Sequence, residues 1–182
     1  MYKYLILFIF ILSASLVDAQ KYFSKTGSIY FLSEAPIEKI EANNGNAYVV
    51  YDASSGSMEW SVLIKGFKFA KAMMQQHFNE NYMDSDKYPK ATFKGKVISP
   101  SGINFSKDGK YNVDVSGDLT IHGVTKPFRG PGHVTIKEDK RTMDASFVVT
   151  IDEFAIQVPK VVRENIAKTV KVSVHADLQS LK

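Results

Sequence analysis

The chain has no cysteine in its 182 residues. That excludes a disulfide framework and a lipid carried on an N-terminal cysteine, so the fold must be held by its core. A dense basic block is also missing. Lys and Arg total 23 against 19 Asp and Glu, a net charge of +4, and the lysines stand singly, as at Lys65, Lys68, Lys94, Lys96, Lys137, Lys140 and Lys171. This solvated scatter argues against nucleic acid as a partner and is compatible with transient contact to an anionic membrane surface. The four histidines show no H-x-H, H-x-x-x-H or H-E-x-x-H spacing, and without thiols to complete a set no metal is expected. There is no G-x-S-x-G elbow and no glycine loop leading into a helix. Asp84-Ser85-Asp86 and Asp152-Glu153 pair carboxylates only at neighbouring loop positions. No catalytic residue is expected, and the chain reads as a non-enzyme.

The first residues have a distinct layout. Lys3 precedes an unbroken apolar run from Leu5 to Leu12, and Val17-Asp18-Ala19 supplies an A-x-A-like site. This is the pattern of a secretory signal peptide, residues 1–19, cleaved after Ala19. An uncleaved anchor is the alternative, but the run is shorter than the ~20 residues a spanning helix needs. Export predicts a periplasmic or secreted protein. Cleavage removes Lys3 and Asp18 together, so the net charge is unchanged. Roughly 160 residues remain, enough for one core and one domain over 20–182. No Pro/Ser-rich linker, repeat or low-complexity tract divides them.

Most of this region alternates apolar and polar residues at the period of a half-buried strand. Ser28–Leu32 is the first clear run, and Ile37 and Ile40 begin another that reaches Asn43-Asn44-Gly45-Asn46. There Asn44-Gly45 suits a tight type I′ hairpin, with Ala47–Tyr51 as the next strand. Met58, Trp60, Val62 and Ile64 share one face of the following run. Ser99-Pro100-Ser101-Gly102 reads as a turn. The clearest strand carries Val113, Val115, Gly117, Leu119 and Ile121 on one face and Asp114, Ser116, Asp118 and Thr120 on the other. Val134 and Ile136 mark a strand that turns at Glu138-Asp139 toward Met143, Ala145, Phe147, Val149 and Ile151. Val170, Val172, Val174, Ala176 and Leu178 close the set. Such a meander, without strand–helix alternation, is all-β and antiparallel: a sandwich or an up-and-down barrel.

One segment breaks the rhythm. Phe69, Met73, Phe78 and Tyr82 recur at spacings of four or five, with Met74 and His77 beside them, as an imperfect helical stripe. Tyr88-Pro89 ends it, and Ala91, Phe93 and Val97 resume the alternation. The spacing predicts a short helical insert near residues 67–83.

Two stretches resemble a known family. Gly117-Asp118-Leu119-Thr120-Ile121-His122-Gly123-Val124-Thr125-Lys126-Pro127 is similar to the G-x-L-T-I-x-G-V-T-K-P motif of the YceI-like family, bacterial polyisoprenoid-binding, lipocalin-like proteins. His77–Met83 followed by Lys87-Tyr88-Pro89-Lys90-Ala91-Thr92-Phe93 resembles that family's short helical stretch and Y-P-x-a-x-F block, in the expected order and spacing. The resemblance implies an eight-stranded antiparallel lipocalin-like barrel and a long-chain isoprenoid, quinone or fatty-acyl compound in its lumen. A bound lipid of this kind, on a monomer or homodimer, is then the sole cofactor-like group expected. Many members carry an Arg-Asp-containing stretch where this chain has Gln75-Gln76-His77-Phe78-Asn79-Glu80, so that headgroup contact is not carried over.

An isoprenoid tail has no hydrogen-bonding groups and needs only apolar, adaptable walls. The predicted lining is Trp60, Phe69, Met73, Phe78, Tyr82, Phe93, Val115, Leu119, Ile121, Phe147 and Val172, with His77 and His122 as candidates for a headgroup hydrogen bond. Periodicity alone favours a dry core built from the same residues, and it is the family resemblance that turns the reading to a ligand. The competing function is therefore a solid barrel that acts by protein–protein interaction in the envelope or under stress.

Overall fold

The computed structural model describes residues 21–99 and 102–181. The candidate signal peptide and the centre of the predicted turn at Pro100-Ser101 lie outside the described residues. Alternation does what it predicts. Ten strands form: β1 (Lys21–Glu34), β2 (Lys39–Asp52), β3 (Ser57–Leu63), β4 (Lys68–Phe69), β5 (Lys90–Ile98), β6 (Gly109–Ile121), β7 (Val124–Lys137), β8 (Lys140–Thr150), β9 (Thr169–Asp177) and β10 (Gln179–Ser180). Eight of them close a barrel in the order β1-β2-β3-β5-β6-β7-β8-β9, with β9 returning to β1 through Ser28↔His175 to Leu32↔Lys171. All neighbours are antiparallel. β4 and β10 are short additions to β2 and β1. The eight-stranded barrel expected from the resemblance is the architecture observed.

The insert is shorter than its stripe suggested. Helix α1 (Ala72–His77) runs into a π-helical turn at Phe78–Tyr82, and Phe69 lies before it in β4. The widened π-turn moves side chains off the 3.6-residue period, which accounts for the uneven spacing of the stripe. No helix among the described residues is long and apolar enough to cross a membrane.

Two expectations are corrected. Asn44-Gly45 is no hairpin, because β2 runs straight through it and pairs with β1 on both sides. Asn44 faces inward and is 1% exposed. Its Nδ2 donates to Leu63 O at 2.9 Å and its Oδ1 accepts from Asn46 N at 3.0 Å. The amide thus joins β2 to β3 just where their ladder, last paired at Tyr48↔Ser61, has parted. Removing it strands a carbonyl and an amide, so Asn44→Ala is expected to cost about 2 kcal/mol, read as a lower urea midpoint at unchanged slope. The second correction concerns β7, which starts ten residues before Val134, at Val124. Its hairpin with β6 turns on His122 (φ 51°) and Gly123 (φ 74°), the two positive φ values of a type I′ turn.

Candidate functional site: an apolar lumen

Inward parity places β6 residues Val113, Val115, Leu119 and Ile121 in the barrel, opposite Val170, Val172 and Val174 of β9. Between these walls lies a cavity of about 230 Å³. Leu119, Ile121, Val172 and Val174 are only half-buried although their strands turn them inward, and they line this space. The apolar surface they leave uncovered is therefore that of the lumen. Two further lining residues, Asp144 and His133, belong to the outer parity of their strands. The Asp144 carboxylate accepts from His175 Nδ1 at 2.7 Å and lies 3.6 Å from His133 Nε2. That contact raises the His175 pKa above its ordinary value, hydrogen bonding to Asp144 outweighing desolvation. No group of side chains suited to a metal ion occurs among the described residues.

Both ends of the lumen are stoppered by aromatics. At the end formed by Lys21, Asp52 and Gly109, Phe105 stacks on Tyr22 at 4.9 Å and packs against Tyr51 at 5.9 Å. Arg141 fixes this plug: Nη2 donates to Phe105 O at 3.3 Å, and the guanidinium lies over Tyr22 at 5.8 Å. Tyr51 is 2% exposed, and its phenol is pushed up to about 12, first by burial and then by Asp52 and Tyr22. A raised acid pKa in the folded state means that the fold favours the neutral phenol. The resulting stability is complete below the ordinary value of 10.0 and is lost as pH climbs from there through about 12. Urea midpoints are expected to fall over that interval, and to fall less in Tyr51→Phe.

At the opposite end Phe78 of the π-turn is the stopper, with its ring 5.5 Å from Phe31, 5.7 Å from Phe67 and 5.0 Å from Phe69. Met83, Ile151 and Ile156 complete the cover from the two long connections.

Eight of the predicted lining residues meet at the cavity: Trp60, Phe78, Phe93, Val115, Leu119, Ile121, Phe147 and Val172. Three do not, and the expectation is corrected there. Met73 points to solvent at 69% exposure, because the insert presents Phe78 of the π-turn, rather than the middle of α1, to the barrel. Phe69 packs behind Phe31 and Phe78. Tyr82 supports the cover from outside, packed on the Ile64–Met83 cluster. Neither histidine reaches the lumen. His77 is exposed at the end of α1, while His122 has Nδ1 3.2 Å from Phe154 O and its ring edge-on to Tyr88 at 4.7 Å. His122 thereby ties the β6–β7 hairpin to the cover. Strand parity extended to every run finds Met58, Val62, Val134 and Met143, whereas Phe128 sits in a Pro/Gly-rich stretch that carries no strand signal.

The sequence profile described as "YceI-like domain" matches residues 25–178. A UPF0312 protein of Pseudomonas fluorescens is 45% identical over 49 residues, 27% of this chain and 24% of that protein. One from Pseudomonas putida is 31% identical over 85 residues, 43% of this chain and 41% of that protein. The chain thus spans between about a quarter and two-fifths of the curated relatives it matches. Among solved structures, a polyisoprenoid binding domain from Saccharophagus degradans superposes with a TM-score of 0.73 at 10% identity, covering 90% of this chain and 99% of that one. BcnA of Burkholderia cenocepacia gives 0.68 at 22% identity, with 84% and 96% covered. At these identities the superpositions speak for the fold, while the profile spans nearly the whole described chain. The protein belongs to the YceI-like domain family.

Proposed function

We propose that the protein is a non-enzymatic binder or carrier that holds one long apolar chain, isoprenoid, isoprenoid-quinone or fatty-acyl, in the barrel lumen. The observation that carries this reading is a cavity whose walls are aliphatic and aromatic, its polar lining residues His133 and Asp144 belonging to the outer parity of their strands. Burying a methylene there is worth about 0.8 kcal/mol, so a chain of modest length is retained by its tail alone. The Saccharophagus degradans neighbour, a polyisoprenoid binding domain, supports the same ligand class. The two titratable lining residues, His133 and Asp144, stand on the outer parity of their strands, and Asp144 is engaged by His175, an arrangement that gives no support to proton transfer or nucleophilic attack on a bound chain. We further propose export through residues 1–19 and action in the periplasm or outside the cell, as a monomer or homodimer, with transient contact to membranes that supply or receive the cargo.

Native mass spectrometry of protein purified from its own envelope tests this. A stoichiometric mass loss on organic extraction, with an isoprenoid or acyl fragment pattern, is expected. A bare polypeptide mass, unchanged when quinones and polyprenols are offered, would turn the assignment to a solid barrel acting on a protein partner.

A further inference from the structure

We propose that the cargo enters and leaves sideways, through a seam between the upper halves of β7 and β8, and that the part of a chain too long for the lumen emerges there. The proposal rests on the lumen binding an apolar chain. It adds the route, and a cargo form: a single-chain amphiphile with its tail inside and its polar end outside.

The ladder between β7 and β8 runs from Lys137↔Lys140 to Gly132↔Ala145 and stops. Beyond that point Val124 to Pro131 pair only with β6, and Ser146 to Thr150 only with β9. The β2–β3 joint also parts, but Asn44 reaches across it to Leu63 O. Across the β7–β8 seam there is neither ladder pairing nor a side-chain hydrogen bond among the described residues. What spans it is a pair of rings, Phe128 and Phe147, edge-to-face with centroids 4.7 Å apart.

The sequence explains why the seam stays unzipped. Pro127 and Pro131, four residues apart, point their missing N–H the same way. β7 keeps its pairing with β6 through both of them, so that direction is toward β8, where no donor is available. Gly130 completes the arrangement, since a Cβ there would come within 2.9 Å of Phe128 Cζ. The bare backbone lets the ring lie across the seam.

Size requires an exit. A 150 Å³ cavity holds benzene, so about 230 Å³ holds a chain of about nine carbons in proportion. A longer chain must leave the lumen somewhere. One end is blocked by the stacked Tyr22 and Phe105, held by Arg141, and the other by Phe78 among three phenylalanines. Phe128 and Phe147 line the cavity and stand on the two strand segments that no longer pair with each other, as rings in a doorway do. Val148, 58% exposed on the outer side of the same strand, gives the emerging chain an apolar sill.

Arg129 and Val148 would face each other if the Gly132↔Ala145 register continued, and the chain has no native cysteine. Arg129→Cys/Val148→Cys, closed by oxidation or a short bis-alkylating bridge, should staple the seam. Stopped-flow binding and release of cis-parinaric acid, a single-chain fluorescent amphiphile, are then compared in bridged and unbridged protein. We expect both rates to fall at least tenfold on bridging, and to recover on reduction where the bridge is a disulfide. Phe128→Ala, which needs no bridge, should speed release at least threefold. Binding with rates indifferent to the staple or to Phe128→Ala overturns the lateral route and leaves the lumen reading standing. Absence of parinaric acid binding in the unbridged, folded protein overturns both.

Discussion

Gly117→Val should not reach the folded barrel, and Gly117→Ala should lose more than about 3 kcal/mol, a large part of the 5–15 kcal/mol typical of a domain. Gly117 and Gly95 oppose each other across the β5–β6 ladder, both turned toward the lumen. A Cβ built at Gly117 lands on Lys94 O and Gly95 Cα; one built at Gly95 lands on Ser116 O and on the Phe93 ring. Backbone atoms cannot rotate away as a side chain can, so the strands must separate at the middle of the β5–β6 pairing, which runs from Thr92↔Thr120 to Ile98↔Asp114. The two glycines also explain Phe93, whose ring folds back over the bare backbone as aromatic residues do beside strand glycines. Gly102→Ala is the control. It meets nothing within 4 Å but sits at φ +70°, so its cost should be only the about 1–2 kcal/mol of a left-handed residue. Thermal melts and urea midpoints of the three variants measure the ordering. A Gly117→Ala protein as stable as the parent would mean that the β5–β6 contact is looser than described.

Leu119→Lys should abolish retention of the apolar cargo and cost several kcal/mol in stability. Leu119 is paired with Phe93 and Lys126 and faces the lumen. An ammonium there has aliphatic and aromatic neighbours and no buried carboxylate to pair with, which is the costly case of an uncompensated charge. Lost binding in that variant alone could reflect a damaged fold, so a filled lumen provides the second arm. Val172→Phe adds a ring where the parent has empty space between Phe31 and Phe147, its cross-strand partners. It should melt within a few degrees of the parent or above it, since it fills rather than opens a cavity, and still carry no ligand. Native mass spectra alongside melting curves give both readouts. A Val172→Phe protein that keeps a full complement of lipid would place the cargo outside the lumen.

How far this arrangement is legible in the sequence depends on which physical effect dominates locally. β6 reads correctly from Val113 to Ile121, where the residues alternate strictly and one face is buried, so periodicity and packing agree; its first residues, from Gly109, read as part of a turn. The upper half of β7 does not read as a strand at all. Thr125-Lys126-Pro127-Phe128-Arg129-Gly130-Pro131 has the composition of a turn, and only its position as an edge, paired on one side, makes two prolines tolerable. Phe128 was hidden by that. Asn44-Gly45 failed for a similar reason: a hairpin signal was overruled by burial of the Asn44 amide, for which Gly66 leaves room by having no Cβ. In the insert the aromatic and methionine residues were recognised as a group, but their directions depend on a π-turn that no residue pattern announces. Met73 and Phe78 look equivalent in the sequence, yet one faces water and the other closes the barrel.

The closure of β9 onto β1 has a consequence in time as well as in space. Seven of the eight barrel joints link successive strands of the barrel, and these pairings can form as the chain emerges. The eighth joins residues 28–32 to residues 171–175, almost the full described length apart. Until that pairing forms, β1 and β9 are open edges with an apolar face behind them, able to pair with a neighbouring chain. Completion of the C-terminal strand is thus the step at which the lumen first exists. Refolding should show early strand formation and a late phase in which edges and ligand-binding capacity change together, and truncation before Thr169 should yield aggregates rather than a leaky barrel.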